Sequence, residues 1–95
     1  MTVYGEAAIT KFTKKYASSR KPLQRFLVIA RKAEWPHFPA VKQTFPATDY
    51  APSTGTLIFD IGGNKYRLVA RVDFEEKLLY IQRVLTHEEY SRENL

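Results

Sequence analysis

The strongest constraint on the fold of this chain is a segment of alternating side chains, residues 65–74. Its apolar positions are Tyr66, Leu68, Ala70, Val72 and Phe74. The positions between them are Lys65, Arg67, Val69, Arg71 and Asp73, and of these only Val69 is apolar. Because successive side chains of a strand point to opposite faces, the pattern predicts a strand with one apolar and one basic face. Such a strand is typical of a half-exposed antiparallel sheet.

Neighbouring segments predict strands on both sides of this one. Residues 56–61 are rich in β-branched and aromatic residues, and the glycines at 62 and 63 are a hairpin turn signal. A second apolar run, residues 77–85, follows a turn at Glu75 and Glu76. We therefore expect a three-stranded antiparallel meander, with a fourth strand if residues 2–4 join it.

Helical periodicity precedes the sheet. Residues 6–16 carry one apolar stripe, and a second helix with its own stripe runs to about Glu34. The short break between them, residues 17–19, predicts an antiparallel helical hairpin. One helical turn at residues 41–45 and a loop at residues 46–55 then lead into the sheet.

A last short helix is predicted at residues 87–93. Thr86 occupies its N-cap and Glu89 its third position, which is the arrangement of a capping box. The predicted class is therefore α+β: two N-terminal helices packed on a small antiparallel sheet of three or four strands, with a short C-terminal helix. We expect residues 1–95 to form a single domain.

Composition narrows the classes of function. The formal net charge is +5, and a basic protein of this size suggests a polyanionic partner. The lack of cysteine excludes disulfides and thiolate metal sites, and with two histidines we expect neither a metal site nor a cofactor. No apolar run approaches the roughly 18 residues of a membrane span. Residues 1–12 lack the apolar core of a signal peptide, so we expect a cytoplasmic protein without a membrane partner.

Four side chains with phosphate chemistry are predicted to converge at one end of the sheet. Lys65 and Arg67 lie on the basic face, and His87 and Tyr90 follow the last strand. Arginine binds phosphate oxygens, histidine transfers protons near neutral pH, and tyrosine stacks on bases. These groups suit RNA cleavage without a metal ion. The pattern alone also fits a solvated sheet face with ordinary surface charge.

The pattern leaves open which face Arg83 occupies. A two-residue turn at Glu75 and Glu76 sets Arg83 on the apolar face beside Leu68. A turn one residue longer sets it on the basic face beside Arg67, because a one-residue slip flips every side chain. The turn sequence favours neither register.

Two separated motifs resemble the signatures of the HigB-type toxins, which belong to the RelE-like superfamily. The first is the run FDIGGNKYRLV at residues 59–69. The second comprises YI at residues 80–81 and THEEY at residues 86–90, and the likeness extends back to KAEW at residues 32–35. One departure concerns the last strand, where the family often reads tyrosine-isoleucine-arginine. Here Gln82 precedes the arginine, and by alternation this displacement moves Arg83 to the opposite face.

The resemblance implies a RelE-like fold and the toxin of a type II toxin–antitoxin system. Such a toxin is a ribosome-dependent endoribonuclease, or mRNA interferase, and our interpretation is metal-independent attack of the 2′-hydroxyl on the adjacent phosphate. The implied partners are mRNA on the ribosome and a helix-turn-helix antitoxin of the HigA type. An alternative from another class is a catalytically silent RelE-like fold that only binds RNA or the antitoxin.

The resemblance also implies a role for each site residue. Arg67 would bind the phosphate, and His87 would transfer a proton, as base or as acid. Lys65 would be a second cation beside the scissile phosphate, and Tyr90 would orient the substrate or stack on a base. Further RNA contacts are expected from Arg71, Arg83, Lys32 and Arg31. Salt-dependent attraction to rRNA is expected from the basic flanks of the helices, which also include Lys11, Lys14, Lys15 and Arg25.

Overall fold

The computed structural model describes residues 1–93 of the chain. Within this range it has five strands, four α-helices and a short 3₁₀ turn between the first two helices. The strands are β1 (Thr2–Tyr4), β2 (Asp49–Ala51), β3 (Thr56–Ile61), β4 (Tyr66–Asp73) and β5 (Leu78–Thr86). The helices are α1 (Ala7–Lys15), α2 (Arg20–Lys32), α3 (Phe38–Thr44) and α4 (His87–Arg92).

The strands form one sheet in the order β1-β5-β4-β3-β2. β3, β4 and β5 form the predicted antiparallel meander, and β2 is antiparallel to β3. The strand β1 runs parallel to β5, with Tyr4 opposite Tyr80. The predicted α+β class is confirmed. The sheet is nevertheless larger than expected, because Asp49–Ala51 in the predicted loop forms an edge strand on β3. A three-residue segment carries too little alternation to be recognised as a strand.

The helical hairpin packs on the apolar face of β4, as predicted. Leu68 and Ala70 of that face are completely buried against the helices. Phe59 of β3 lies at the centre of an aromatic group with Phe26 and Trp35. This packing leaves the other face of the sheet available for a site. Among residues 1–93, none of the helices is both long and apolar enough to cross a lipid bilayer.

A smaller apolar cluster lies on that other face, beneath α4. Val69 packs there with Ala51, Ile58 and Leu85, and Tyr90 of α4 covers them. The single apolar residue of the predicted basic face is therefore the floor on which the C-terminal helix rests. The central part of this face is covered by α4 and is not an open basic surface.

The register between β4 and β5 changes once along their length. Next to the turn, Asp73 pairs with Leu78, which is the register of the two-residue turn. Farther along, the register shifts by one residue, and Gln82 has no partner on β4. This irregularity is a β-bulge, in which two residues of one strand oppose a single residue of the other.

The bulge determines the face that Arg83 occupies. In the register set by the turn, Arg83 would lie opposite Leu68 on the apolar face. Because of the bulge it lies opposite Val69, on the same face as Arg67. The expectation that Arg83 moves to the opposite face is therefore wrong. The bulge leaves Gln82 without a partner, so the residues after it return to the faces that they would occupy without the insertion.

The glycine that follows β1 gives a test of the close packing of this segment against the backbone of β5. Gly5 has a φ of 85°, and a Cβ on it would overlap the carbonyl oxygen of Ile81. We expect Gly5→Ala to lower the free energy of unfolding for two reasons. The left-handed backbone conformation of an alanine costs about 1–2 kcal/mol, and the overlap with Ile81 costs about 1–3 kcal/mol more. Gly63→Ala is the matched control, because Gly63 has a φ of 74° but open space around its Cβ position. Urea unfolding measures both variants, and equal losses would contradict the overlap.

Candidate functional site

Arg67 is the buried centre of a polar cluster at the start of β4. Only 8% of its surface is exposed. Its cross-strand partner on β3 is Asp60, whose Oδ1 lies 3.1 Å from the Arg67 Nε. A buried guanidinium is tolerated only when its charge is paired and its donors are hydrogen-bonded. The Asp60 carboxylate supplies the opposite charge.

The two terminal nitrogens of Arg67 make four hydrogen bonds. Nη1 donates to the backbone oxygens of Asn64 and Tyr66, at 3.3 and 3.1 Å. Nη2 donates to Oδ1 of Asn64 at 2.6 Å and to Nδ1 of His87 at 3.0 Å. The donors of the guanidinium are thus engaged within the protein. A phosphate would have to displace one of these partners to bind Arg67 as the resemblance implies.

A capping box brings α4 to this cluster. The hydroxyl of Thr86 accepts a hydrogen bond from the Glu89 N–H at 3.1 Å, and the Glu89 carboxylate accepts one from the Thr86 N–H at 2.8 Å. The predicted capping box is confirmed, and it fixes the direction in which α4 leaves β5. His87 is the first residue of α4, and its N–H donates to the backbone oxygen of Lys65 at 2.8 Å.

The four predicted catalytic residues lie together. Tyr90, one turn after His87, places its ring over the Arg67 guanidinium, with 5.5 Å between the ring centroid and Cζ. This is the geometry of a cation–π contact. The side chain of Lys65 is exposed at the neighbouring strand end. An imidazole and a phenol thus contact the buried arginine, and an exposed lysine adjoins them through its backbone.

The contact with Arg67 selects one tautomer of His87. A guanidinium N–H can only donate, so Nδ1 of His87 is the acceptor and carries no proton. The proton of the neutral imidazole is then on Nε2. His87 is exposed, and Nε2 has no hydrogen-bond partner among residues 1–93. The ring thus presents an N–H donor to solvent.

Two of the predicted RNA-binding residues share the sheet face of Arg67. Arg71 is exposed, and its Nη2 donates to the backbone oxygen of Thr54 at 2.8 Å. Arg83 pairs with Glu93: Nη1 donates to Oε1 at 2.7 Å, and Nη2 donates to Oε2. These hydrogen bonds raise the pKa of Arg83 and lower the pKa of Glu93, so the pair is charged at neutral pH. It separates only as the pH falls through the lowered pKa of Glu93.

Arg31 and Lys32 do not join the cluster. Both lie in the last turn of α2, in the helical layer on the opposite side of the sheet from Arg67. Arg31 forms an ion pair with Glu6 before α1. RNA binding by these two residues stays a prediction, and such a contact would be separate from the cluster.

Two members of the cluster, Asp60 and Asn64, are not identified by the sequence patterns. A two-residue turn at the glycines would pair Asp60 with Lys65. The observed loop spans residues 62–65, so Asp60 pairs with Arg67 instead. The length of this loop decides both the ion pair and the position of Asn64, and strand alternation does not encode it.

Comparison with known proteins gives a family match and several relatives. The family model described as the RelE-like toxic component of a toxin–antitoxin system matches residues 19–93. The mRNA interferase toxin HigB of Escherichia coli is 40% identical over 52 residues, which are 54% of this chain and 50% of that protein. The mRNA interferase HigB of Shigella flexneri gives the same figures. The mRNA interferase HigB of a uropathogenic Escherichia coli strain is 20% identical over 93 residues, 97% of this chain and 90% of that protein.

The extent of these matches differs. The chain spans about half the length of the curated relatives that it matches at 40% identity. The family match is more extensive and includes β3, β4, β5 and α4, which carry the cluster. On that match, the chain belongs to the HigB toxin family, the RelE-like toxic components of toxin–antitoxin systems.

Proposed function

We propose that this protein is an mRNA interferase, the toxin of a type II toxin–antitoxin pair that cleaves mRNA on the ribosome. The observation that carries the proposal is the cluster itself, in which His87 with its N–H donor and the ring of Tyr90 contact Arg67, and the backbone of the exposed Lys65 accepts the N–H of His87. Membership of the HigB family and the names of the relatives, which are mRNA interferases, support it.

The proposed reaction is attack of the 2′-oxygen on the adjacent phosphorus, without a metal ion. A 2′,3′-cyclic phosphate forms, and the bond from phosphorus to the 5′-oxygen breaks. The 2′-hydroxyl releases its proton to solvent, and the departing 5′-oxygen takes up a proton from solvent. Negative charge therefore develops on the phosphate oxygens and on the leaving oxygen in the transition state. Groups that stabilise this charge lower the barrier.

His87 acts in this reaction as a hydrogen-bond donor. Its Nε2–H is directed away from Arg67 and is free to donate to a phosphate oxygen or to the leaving 5′-oxygen. A general base would need the lone pair on Nε2 and hence a proton on Nδ1. The Arg67 N–H at Nδ1 opposes that tautomer.

The other three residues have complementary roles. Lys65 supplies positive charge to the phosphate from its exposed position beside His87. Tyr90 orients the substrate or stacks on a base at the edge of the cluster. Arg67 acts chiefly as a positioning residue, because its donors hold His87 and the Asn64 turn in place. Its buried charge still adds to the positive potential at the site.

The proposed partners follow from the same interpretation. Lys11 and Lys15 of α1 line a largely apolar groove of about 350 Å³ with Arg83 of β5 and Glu89 of α4. This groove would supply salt-dependent attraction to rRNA. A helix-turn-helix antitoxin of the HigA type would neutralise the toxin. Because ribosomes are its site of action, the protein would work in the cytoplasm.

Two substitutions of His87 test the donor role. In His87→Asn the amide can occupy the position of Nδ1, whereas in His87→Gln it can occupy that of Nε2. We expect His87→Gln, which retains a donor near the position of Nε2, to cleave about 10–100-fold more slowly than the wild type. We expect His87→Asn, which has no donor there, to cleave at least about tenfold more slowly than His87→Gln. Single-turnover cleavage of mRNA on programmed ribosomes measures both rates. Equal losses would point to proton transfer instead, and a wild-type protein that cleaves no mRNA would favour the catalytically silent RelE-like fold.

Arg67→Lys tests the positioning role of the arginine. Lysine keeps the charge but has one nitrogen, so it cannot reach Asn64, Tyr66 and His87 together. We expect cleavage at least about tenfold slower, and loss of the single Nε2–H tautomer in the ¹⁵N NMR signals of His87. In the control Lys65→Arg, the His87 signals should be unchanged. An unchanged tautomer in Arg67→Lys would contradict the positioning role.

The pairing of Arg83 gives a third test. Glu93→Gln weakens the partner of Arg83, so this arginine becomes available to RNA. We expect RNA affinity at low salt to rise up to about fivefold, the range of an exposed ion pair. Glu88→Gln is the matched control, because it removes the same charge from α4 but releases only Arg92. An equal gain in both variants would mean that Arg83 does not bind RNA.

A further inference from the structure

Two tyrosines form an exposed stacked pair at the edge of the sheet. Tyr4 of β1 and Tyr80 of β5 are opposite each other in the parallel register. Their ring centroids are 5.3 Å apart, and the ring planes differ by 18°. Although they are in contact, 49% of Tyr4 and 42% of Tyr80 remain exposed. Neither residue belongs to the apolar clusters of the protein.

An arginine stands beside this pair. Arg71 of β4 is the cross-strand partner of Tyr80, so the two side chains lie on the same face. The Arg71 Nη2 donates to the backbone oxygen of Thr54, which holds the guanidinium in place. Arg71 and Tyr80 line a shallow concavity of about 400 Å³ that also includes Gly55 and Asp73. The edge of the sheet thus combines flat aromatic surface with a fixed guanidinium and one carboxylate nearby.

The pair lies on the same sheet face as the candidate site. The bulge keeps Arg83 on this face, between Tyr80 and the cluster at the other end of β5. The path along β5 from Tyr80 to His87 is about 20 Å long, given the rise per residue of a strand. A single strand that is cut at His87 therefore reaches the tyrosines within a few nucleotides by passing beside α4, which covers the centre of this face.

We propose that Tyr4, Tyr80 and Arg71 form a platform on which a base of the mRNA stacks, a few nucleotides from the scissile phosphate. The inference rests on the proposed function, since it extends the path of that substrate. Many proteins bind single-stranded RNA through exposed aromatic rings next to arginine, because the unpaired bases stack on the rings. Each base has a π-face, so the platform adds affinity and sets the position of the strand with little base preference.

The charge of this surface favours RNA over a protein partner. The guanidinium of Arg71 lies beside the exposed rings and can contact a backbone phosphate while a base lies on Tyr80. Arg83 lies on the same face toward His87, where it is paired with Glu93. The protein as a whole carries a net charge of +5, which attracts a polyanion. An antitoxin segment on this surface is the competing outcome that the experiment distinguishes.

The test is the affinity of Tyr80→Ala for a fluorescein-labelled, single-stranded RNA oligonucleotide at low salt. We expect the Kd to rise about tenfold, as the loss of one base stack implies. Tyr80→Phe should bind like the wild type, because it keeps the ring. Tyr50→Ala is the matched control: Tyr50 is 54% exposed but lies on β2 at the other edge, against Phe38. It should leave the Kd unchanged.

Oligonucleotides with one abasic site each separate stacking from a change in the fold. For the wild type, the oligonucleotide that lacks the stacked base should bind with a Kd about tenfold higher. With that oligonucleotide, Tyr80→Ala should not raise the Kd further. Independent, additive losses would overturn the platform. An unchanged Kd for Tyr80→Ala, or no RNA binding by the wild type, would also overturn it. Loss of antitoxin binding with unchanged RNA affinity would assign the surface to the protein partner instead.

The outcomes distinguish this inference from the proposed function. If the wild type cleaves mRNA on the ribosome but Tyr80→Ala binds RNA normally, the platform is wrong and the nuclease stands. If binding depends on Tyr80 but the wild type cleaves no mRNA, the platform stands and the protein only binds RNA.

Discussion

The buried charge of Arg67 is the constraint on which the site depends. A guanidinium that is removed from water must find an opposite charge and an acceptor for each donor. Here the partners come from three elements: Asp60 from β3, Asn64 from the loop before β4, and His87 from α4. Because removal of one partner would leave a buried charge incompletely matched, the loop and the C-terminal helix are coupled to the sheet through a single side chain.

This coupling explains how a short helix can hold His87, the proposed donor, in a fixed position. α4 has six residues, fewer than an isolated helix needs for stability in water. It is held by the capping box at its start, by the ring of Tyr90 on the apolar cluster, and by the pair between Arg83 and Glu93 at its end. His87 therefore has one nitrogen fixed against Arg67 and the other facing solvent. In the proposed reaction, such preorganisation would stabilise developing charge without reorganisation of the donor.

Period-two alternation predicts β4 and its apolar face, because the face that packs on the helices imposes that pattern on its sequence. The strands beside β4 are predicted from their apolar composition and from the turns that flank them. The capping box is also predictable from the sequence, since it depends on residues 86 and 89 alone. The burial of Arg67 was not predictable in the same way. It depends on the docking of α4 over the basic face, and on a loop length that pairs Asp60 with Arg67. Both are tertiary features that composition and spacing within β4 do not express.

The face of Arg83 shows the same limit on a smaller scale. Alternation counts residues along a strand and assumes that each has a partner, whereas a bulge lets one residue be skipped. With Gln82 unpaired, β5 keeps both Tyr80 and Arg83 on the side of Arg67, although their spacing in the sequence is odd. His87, which follows β5, contacts Arg67 on the same side. An inserted residue within a strand therefore need not abolish a site. It can be absorbed locally, provided that the core residues on both sides, Ile81 and Val84, still face the helices.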